Sequence, residues 1–209
     1  MSSYEGPIIA VLRVFDVVVG IAFERFLKDD RMIHAALRHF VKFRANKGVG
    51  PSMLAKKSIY EILYWASFLL LVTLALRFAI GSEVHLKHSY QDMQGSVGQF
   101  VKDLAFLVLF GVFLVRAALS AKLTDLLWWL TMFLGTGAIW SLVEILSRPT
   151  SWFGCWWLFV NLLQLALTLI VWWSLCRWPH HASFILVLLA VCFAVLFYVD
   201  VKQLIEMSG

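Results

Sequence analysis

The sequence predicts an all-α polytopic transmembrane helix bundle, and three observations lead to that class. The chain has 209 residues, of which 61% are hydrophobic and only 15% charged, whereas a soluble domain is about half apolar and about a quarter charged. Its apolar residues are gathered into stretches of about 20, the length with which an α-helix crosses the hydrocarbon core. Its cations are concentrated in one short connection. We therefore expect a single transmembrane domain from residue 1 to 209.

Six apolar stretches are predicted to span the bilayer, and the first of them is marginal because it contains charges. Pro7 opens this stretch, where the first turn of a helix tolerates proline. Five spans with a re-entrant or interfacial first helix is the alternative. The predicted spans are 7–27, 60–80, 103–121, 126–146, 152–175 and 183–201.

The connection 28–58 predicts the orientation of the chain. It carries eight of the 18 Lys and Arg residues, and cytoplasmic loops have such an excess of cations. Placing it in the cytoplasm puts Lys122 and Arg177 on the same side and makes 81–102 an extracytoplasmic loop. We expect a multi-pass protein of the cell inner (cytoplasmic) membrane, and the compact chain favours a bacterial one.

A basic amphipathic helix is predicted within this connection, beginning after Asp30 as N-cap and ending before Gly48. Apolar residues fall on one of its faces and cations on another, as in helices that lie on anionic lipids of the inner leaflet. Docking of an acidic cytoplasmic protein is the alternative. Direct nucleic-acid binding is not expected, because the placement of the cations explains the basic surplus. The cations expected to meet lipid or partner are Arg31, Arg38, Lys42, Arg44 and Lys47.

The segment RVFDVVVGIAFER, residues 13–25, carries a polar stripe in an otherwise apolar stretch. Its members are spaced by three, four and four residues, so a helix places them on one face. Isolated charges in a bilayer cost several kcal/mol, so this face must contact protein or water. In one interpretation Arg13 and Asp16 pair and are buried against another span; in the other the stripe lines a pathway or subunit interface of a homo-oligomer. The stripe consists of Arg13, Asp16, Gly20 and Glu24.

Other polar residues lie within the predicted spans, so the interior of the bundle is not wholly apolar. Arg77 and Arg116 lie near span ends and are expected to snorkel towards the interface. Glu144 lies deeper and is expected to pair with Arg148, one helical turn away. Residues expected to form hydrogen bonds between helices are Asn161, Gln164 and Thr168.

Tryptophan pairs occur near the ends of several predicted spans. Indole rings prefer the interface between hydrocarbon and headgroups, so these pairs are interpreted as interfacial anchors. They are Trp128 with Trp129, Trp156 with Trp157 and Trp172 with Trp173.

The histidines occur as HAALRH at 34–39, HLKH at 85–88 and HH at 180–181. This pattern resembles the histidine boxes of membrane di-iron desaturases and hydroxylases, which implies a metal enzyme acting on lipid. The last two boxes are incomplete, and the predicted topology places His85 and His88 on the opposite side of the membrane from the others. We therefore predict no metal, no cofactor and no catalytic residue, and keep the metal enzyme as the third functional alternative.

The segment FDVVVGIAF, residues 15–23, resembles the F-S-D signature in the first helix of a six-span tetrameric potassium-channel family. Phe15 and Asp16 match, the serine is absent, and the likeness implies a first helix that lines a pore. Because a small bundle with a charged first-helix stripe has little room to enclose a pathway alone, we expect a homo-oligomer, and the expected function is an oligomeric channel-like or membrane-effector and signalling assembly. The alternative is a non-conducting structural or accessory subunit, in which the stripe is sealed inside one protomer.

Overall fold

The computed structural model describes residues 5–28, 53–87, 89–90, 96–147, 152–178 and 181–208. Within these ranges the chain is all helical and contains no strand, which confirms the predicted fold class. The helices are α1 (Glu5–Lys28), α2 (Met53–Lys87), α3 (Val97–Ala118), α4 (Leu123–Ser147), α5 (Trp152–Arg177) and α6 (Ala182–Ser208).

Five of the helical segments are long and apolar enough to cross a membrane, as expected of a multi-pass membrane protein. The marginal first stretch is one of them. Helix α3, which contains most of the predicted span 103–121, is not, and it carries Lys102, Asp103 and Arg116 within its 22 residues. The five segments are Gly6–Lys28, Lys57–Lys87, Leu123–Ser147, Gly154–Arg177 and Ala182–Gln203.

The connections from α2 to α6 are short, so successive helices run in opposite directions. Helix α4 packs between α3 and α5, α2 packs on α6, and α1 packs on α3 and α2. The C-terminal ends of α2, α4 and α6 therefore lie beside the N-terminal ends of α3 and α5. We call this region the polar end of the bundle. The middle is held by aromatic packing: the ring centroid of Phe78 lies 4.0 Å from Phe110 and 5.5 Å from Phe133.

Helix α2 has 35 residues, a length of about 52 Å, and continues past the predicted span end at residue 80. Gly81 lies within it, and the indole of Trp157 fills the space that a Cβ at this position would need. Helix α3 then begins after Ser96, whose side chain and that of Gln99 form a capping box. Both ends of the predicted loop 81–102 are thus helical, with Ser82 and His85 buried against the bundle and Glu83 and Lys87 exposed.

Candidate functional site

The polar stripe of α1 lies on the side of the helix that faces away from the bundle. Its four members are all exposed, whereas the opposite side buries Phe15 against Phe78 and Phe26 against Phe68. Large apolar residues flank the stripe on the surface, including Val14 at 65% and Val17 at 61% exposure. The stripe is therefore not sealed inside the subunit.

Local pairing within the stripe differs between its two ends. Glu24 accepts a hydrogen bond of 2.5 Å from the ammonium of Lys28, one turn later. Arg13 and Asp16 are exposed, and no ion pair joins them among the residues that the structure describes. The interpretation in which they are buried as a pair therefore does not fit the subunit. The cations of the basic connection, Arg31, Arg38, Lys42, Arg44 and Lys47, lie outside the described residues.

A first buried polar cluster is centred on Arg77. Its side chain is 4% exposed and forms an ion pair with Asp200, which is 2% exposed. The other side of the guanidinium donates from Nη1 to Oδ1 of Asn161 over 2.7 Å. The prediction that Arg77 snorkels is wrong, because a carboxylate from α6 and an amide from α5 solvate it inside the bundle.

Two adjacent tryptophans of α5 complete the Arg77 cluster. The Nε1 of Trp156 donates to Oδ1 of Asp200 over 2.8 Å. The ring of Trp157 lies under the guanidinium, with its centroid 4.5 Å from Cζ of Arg77, as in a cation–π contact. The Trp156–Trp157 pair therefore binds an internal ion pair, a role that the predicted interfacial anchoring does not include.

Asn161 links this cluster to α4. Its amide nitrogen donates to Oγ of Ser141 over 3.4 Å, and its side chain packs where a Cβ of Gly137 would stand. This bond joins two helices, as expected for the polar residues of α5. Gln164 is also buried, but its Oε1 has no hydrogen-bond partner among the described residues, and Thr168 bonds the carbonyl of Gln164 in its own helix.

A second buried cluster is centred on Asp103 at the start of α3. Its Oδ2 accepts a hydrogen bond of 2.6 Å from the hydroxyl of Tyr90 and lies 3.3 Å from Nε2 of His85. Its Oδ1 accepts from Nε1 of Trp140 over 2.9 Å. Side chains from α2, α4 and the segment after α2 thus converge on one carboxylate that is 1% exposed.

Lys102 and Glu144 extend the Asp103 cluster. The ammonium of Lys102 lies 3.7 Å from Oδ1 of Asp103 and 3.7 Å from Oε2 of Glu144. A cavity of about 20 Å³ adjoins the cluster. One ligand atom each from His85, Asp103 and Glu144 lies within 4.8 Å of the others, so this trio has the spacing to hold a metal ion. The predicted partner of Glu144, Arg148, lies outside the described residues.

Arg116 is exposed near the end of the bundle opposite the polar end, and its Cζ lies 5.9 Å from the ring centroid of Trp129.

His85 and His181 lie at opposite ends of the bundle. Asp200, which pairs with Arg77, is 19 residues beyond His181 along one helix, or about 28 Å. Two histidines so far apart cannot share a metal. The remaining histidines, His34, His39, His88 and His180, lie outside the described residues.

Sequence reasoning missed the pairing of Arg77 with Asp200 and the whole Asp103 cluster, although one signal points to the first. Asp200 is the one charge in the predicted span 183–201, and Arg77 is the one cation in 60–80. Two such spans lower their insertion cost by pairing these charges. Nothing comparable points to Asp103, which lies where a loop was expected to meet a span.

Comparison of the chain with known protein families, curated proteins and solved structures found no significant match. Function is therefore argued from the stripe and the two clusters alone.

Proposed function

We propose that this protein is a multi-pass component of the cytoplasmic membrane whose copies assemble through the polar stripe of α1, as a channel-like or membrane-effector assembly. The exposure of the whole stripe carries this proposal. Asp16 lies near the middle of the 24-residue α1, where a carboxylate facing acyl chains costs about 2.5 to 3.5 kcal/mol. Contact with a second copy, or with water enclosed between copies, removes that cost.

The close packing of the polar end supports the same proposal. The described polar groups at the polar end are largely bonded to one another, and the cavity beside His85 has room for about one water molecule. A pathway through a single protomer has no support in these contacts. Passage of an ion, if the assembly conducts, takes place between protomers along α1.

Orientation follows from the cations. The basic connection 28–58 lies in the cytoplasm and contacts anionic lipid or an acidic protein partner, which makes the polar end extracytoplasmic. A cysteine-free chain carrying Ser96→Cys is expected to react with a membrane-impermeant maleimide added outside intact cells, whereas Ser52→Cys reacts only after permeabilisation. The reverse pattern would invert the topology.

Disulfide cross-linking in native membranes tests the assembly. In a chain without Cys155, Cys176 and Cys192, Gly20→Cys is expected to yield covalent dimers on oxidation. Gly20 lies on the stripe, and no other side chain among the described residues lies within 4 Å of a Cβ added at this position. The matched control is Ile170→Cys on α5, which is 59% exposed and lies at a similar distance from the cytoplasmic end of its helix. Equal yields at the two positions contradict assembly through α1.

Ion flux into liposomes then separates the two forms of assembly. Wild-type protein is expected to conduct, and Asp16→Asn is expected to alter the rate or ion selectivity because the stripe loses its central charge. Cross-linked dimers without ion flux in either protein would exclude the channel, and the effector or structural subunit would then be the remaining function. Flux without cross-linking at Gly20 would contradict the proposed interface.

A further inference from the structure

The Asp103 cluster has the composition and spacing of a metal site. Imidazole nitrogen and carboxylate oxygen are ligands of Zn²⁺ at about 2.0 to 2.2 Å. Two ligands of a tetrahedral ion at that radius are about 3.3 to 3.5 Å apart, and Nε2 of His85 lies 3.3 Å from Oδ2 of Asp103. Glu144 brings the third ligand atom, with all three within 4.8 Å. A shift of the Glu144 carboxylate towards the other two ligand atoms completes the trigonal base.

The surroundings of Asp103 hold its carboxylate in position. Tyr90 and Trp140 donate to its two oxygens, and a carboxylate has about four lone-pair sites, so acceptor capacity remains for an ion. Such outer hydrogen bonds orient the ligands of metal sites. The three ligands also stand on three different helices, α2, α3 and α4, so the site is built on rigid elements.

Lys102 places a positive charge beside the trio, next to Oδ1 of Asp103 and not the Oδ2 that faces His85. Its ammonium is 3.7 Å from Oδ1 of Asp103 and from Oε2 of Glu144, beyond the length of a good hydrogen bond. With His85 neutral, as a metal ligand must be, two buried carboxylates and one ammonium leave an excess negative charge, which a divalent ion compensates. The Lys102 side chain is 26% exposed, so it can move into solvent and open a path for the ion.

The adjoining cavity offers the fourth position. It is lined by both His85 and Glu144, together with Ser141 and Gly81, and its volume of about 20 Å³ fits about one water molecule. Three protein ligands with an open fourth place are typical of zinc sites that keep a bound water.

We propose that His85, Asp103 and Glu144 bind one divalent transition-metal ion, with Zn²⁺ as the best fit, and that the ammonium of Lys102 competes with this ion for the two carboxylates. The site lies apart from the α1 stripe and does not depend on the function proposed for it. The metal links α2, α3 and α4 at the polar end.

The test is a titration of the full-length protein in detergent micelles with Zn²⁺, and with Co²⁺ as a spectroscopic probe. The protein is prepared without a polyhistidine tag, because such a tag would itself bind the metal. One equivalent is expected to bind, with the visible absorption of tetrahedral Co²⁺. His85→Asn and Glu144→Gln are expected to weaken binding by at least about tenfold. Glu83→Gln is the matched control, since this carboxylate is exposed on α2 and pairs with Lys87.

Lys102→Gln distinguishes a metal site from a purely structural cluster, because it is expected to raise the affinity for the metal, whereas the ligand variants lower it. Removing the competing ammonium is expected to tighten binding by more than about fivefold. This variant decides the question if the ligand variants fail to fold. Absence of saturable binding by the wild type, equal affinity of wild type and Glu144→Gln, or unchanged or weaker binding by Lys102→Gln would overturn the proposal.

Discussion

Arg77→Met is expected to lower the free energy of unfolding by about 3 to 5 kcal/mol, because it leaves the buried carboxylate of Asp200 without its counter-ion. The same change removes the donor to Asn161 and the cation above Trp157. The measurement is unfolding of the purified protein in mixed micelles, followed by circular dichroism. Glu83→Gln breaks an exposed pair and is expected to cost less than about 1 kcal/mol.

A second variant shows whether the loss arises from the unpaired charge. Asp200→Asn keeps an oxygen for the indole of Trp156 but removes the charge, so the double variant with Arg77→Met is expected to be more stable than Arg77→Met alone. Additive losses in the double-mutant cycle would mean that the two side chains do not interact.

Gly81→Ala is expected to destabilise the protein by about 1 to 3 kcal/mol through overpacking, although alanine is the better helix former. A Cβ at this position would stand 1.9 Å from two ring carbons of Trp157. The indole must move, and it then loses its place under Arg77. Thermal unfolding in micelles measures the effect.

Gly135→Ala is the matched control, since it too lies in a helix interior and has nothing within 4 Å of the added carbon. It is expected to be neutral or to stabilise by up to about 1 kcal/mol. A Gly81→Ala protein as stable as Gly135→Ala would contradict the packing described at α5.

The parts of this protein that were predictable are those that depend on local sequence. The helical class follows from composition, and the common side of Arg13 and Asp16 follows from the 3.6-residue period, whereas the exposure of that side does not. The limits of α2 were less predictable. Gly81 and its polar neighbours indicate a loop, whereas the glycine instead makes room for the indole of Trp157, 76 residues later in the sequence.

The clusters were not predictable in the same way, because their members are distant in sequence. An arginine near the end of a span has two ways to lower its energy: it can reach the interface or find a counter-ion. Arg77 finds a counter-ion, because α2 packs against α6 and brings Asp200 beside it. Likewise Trp140 finds Asp103 only because α4 lies against α3. The lone charges of the two spans signal the first contact in the sequence, and nothing comparable signals the second.

The pairing of Arg77 with Asp200 also has a consequence for biogenesis. Asp200 is synthesised 123 residues after Arg77, which at about 5 to 20 residues per second is a delay of roughly 6 to 25 seconds. During that interval the guanidinium of Arg77 has no counter-ion from α6, so it has to reach the interface until the final helix is inserted. Burial of Arg77 is therefore a late step of assembly, which waits for the last helix of the bundle.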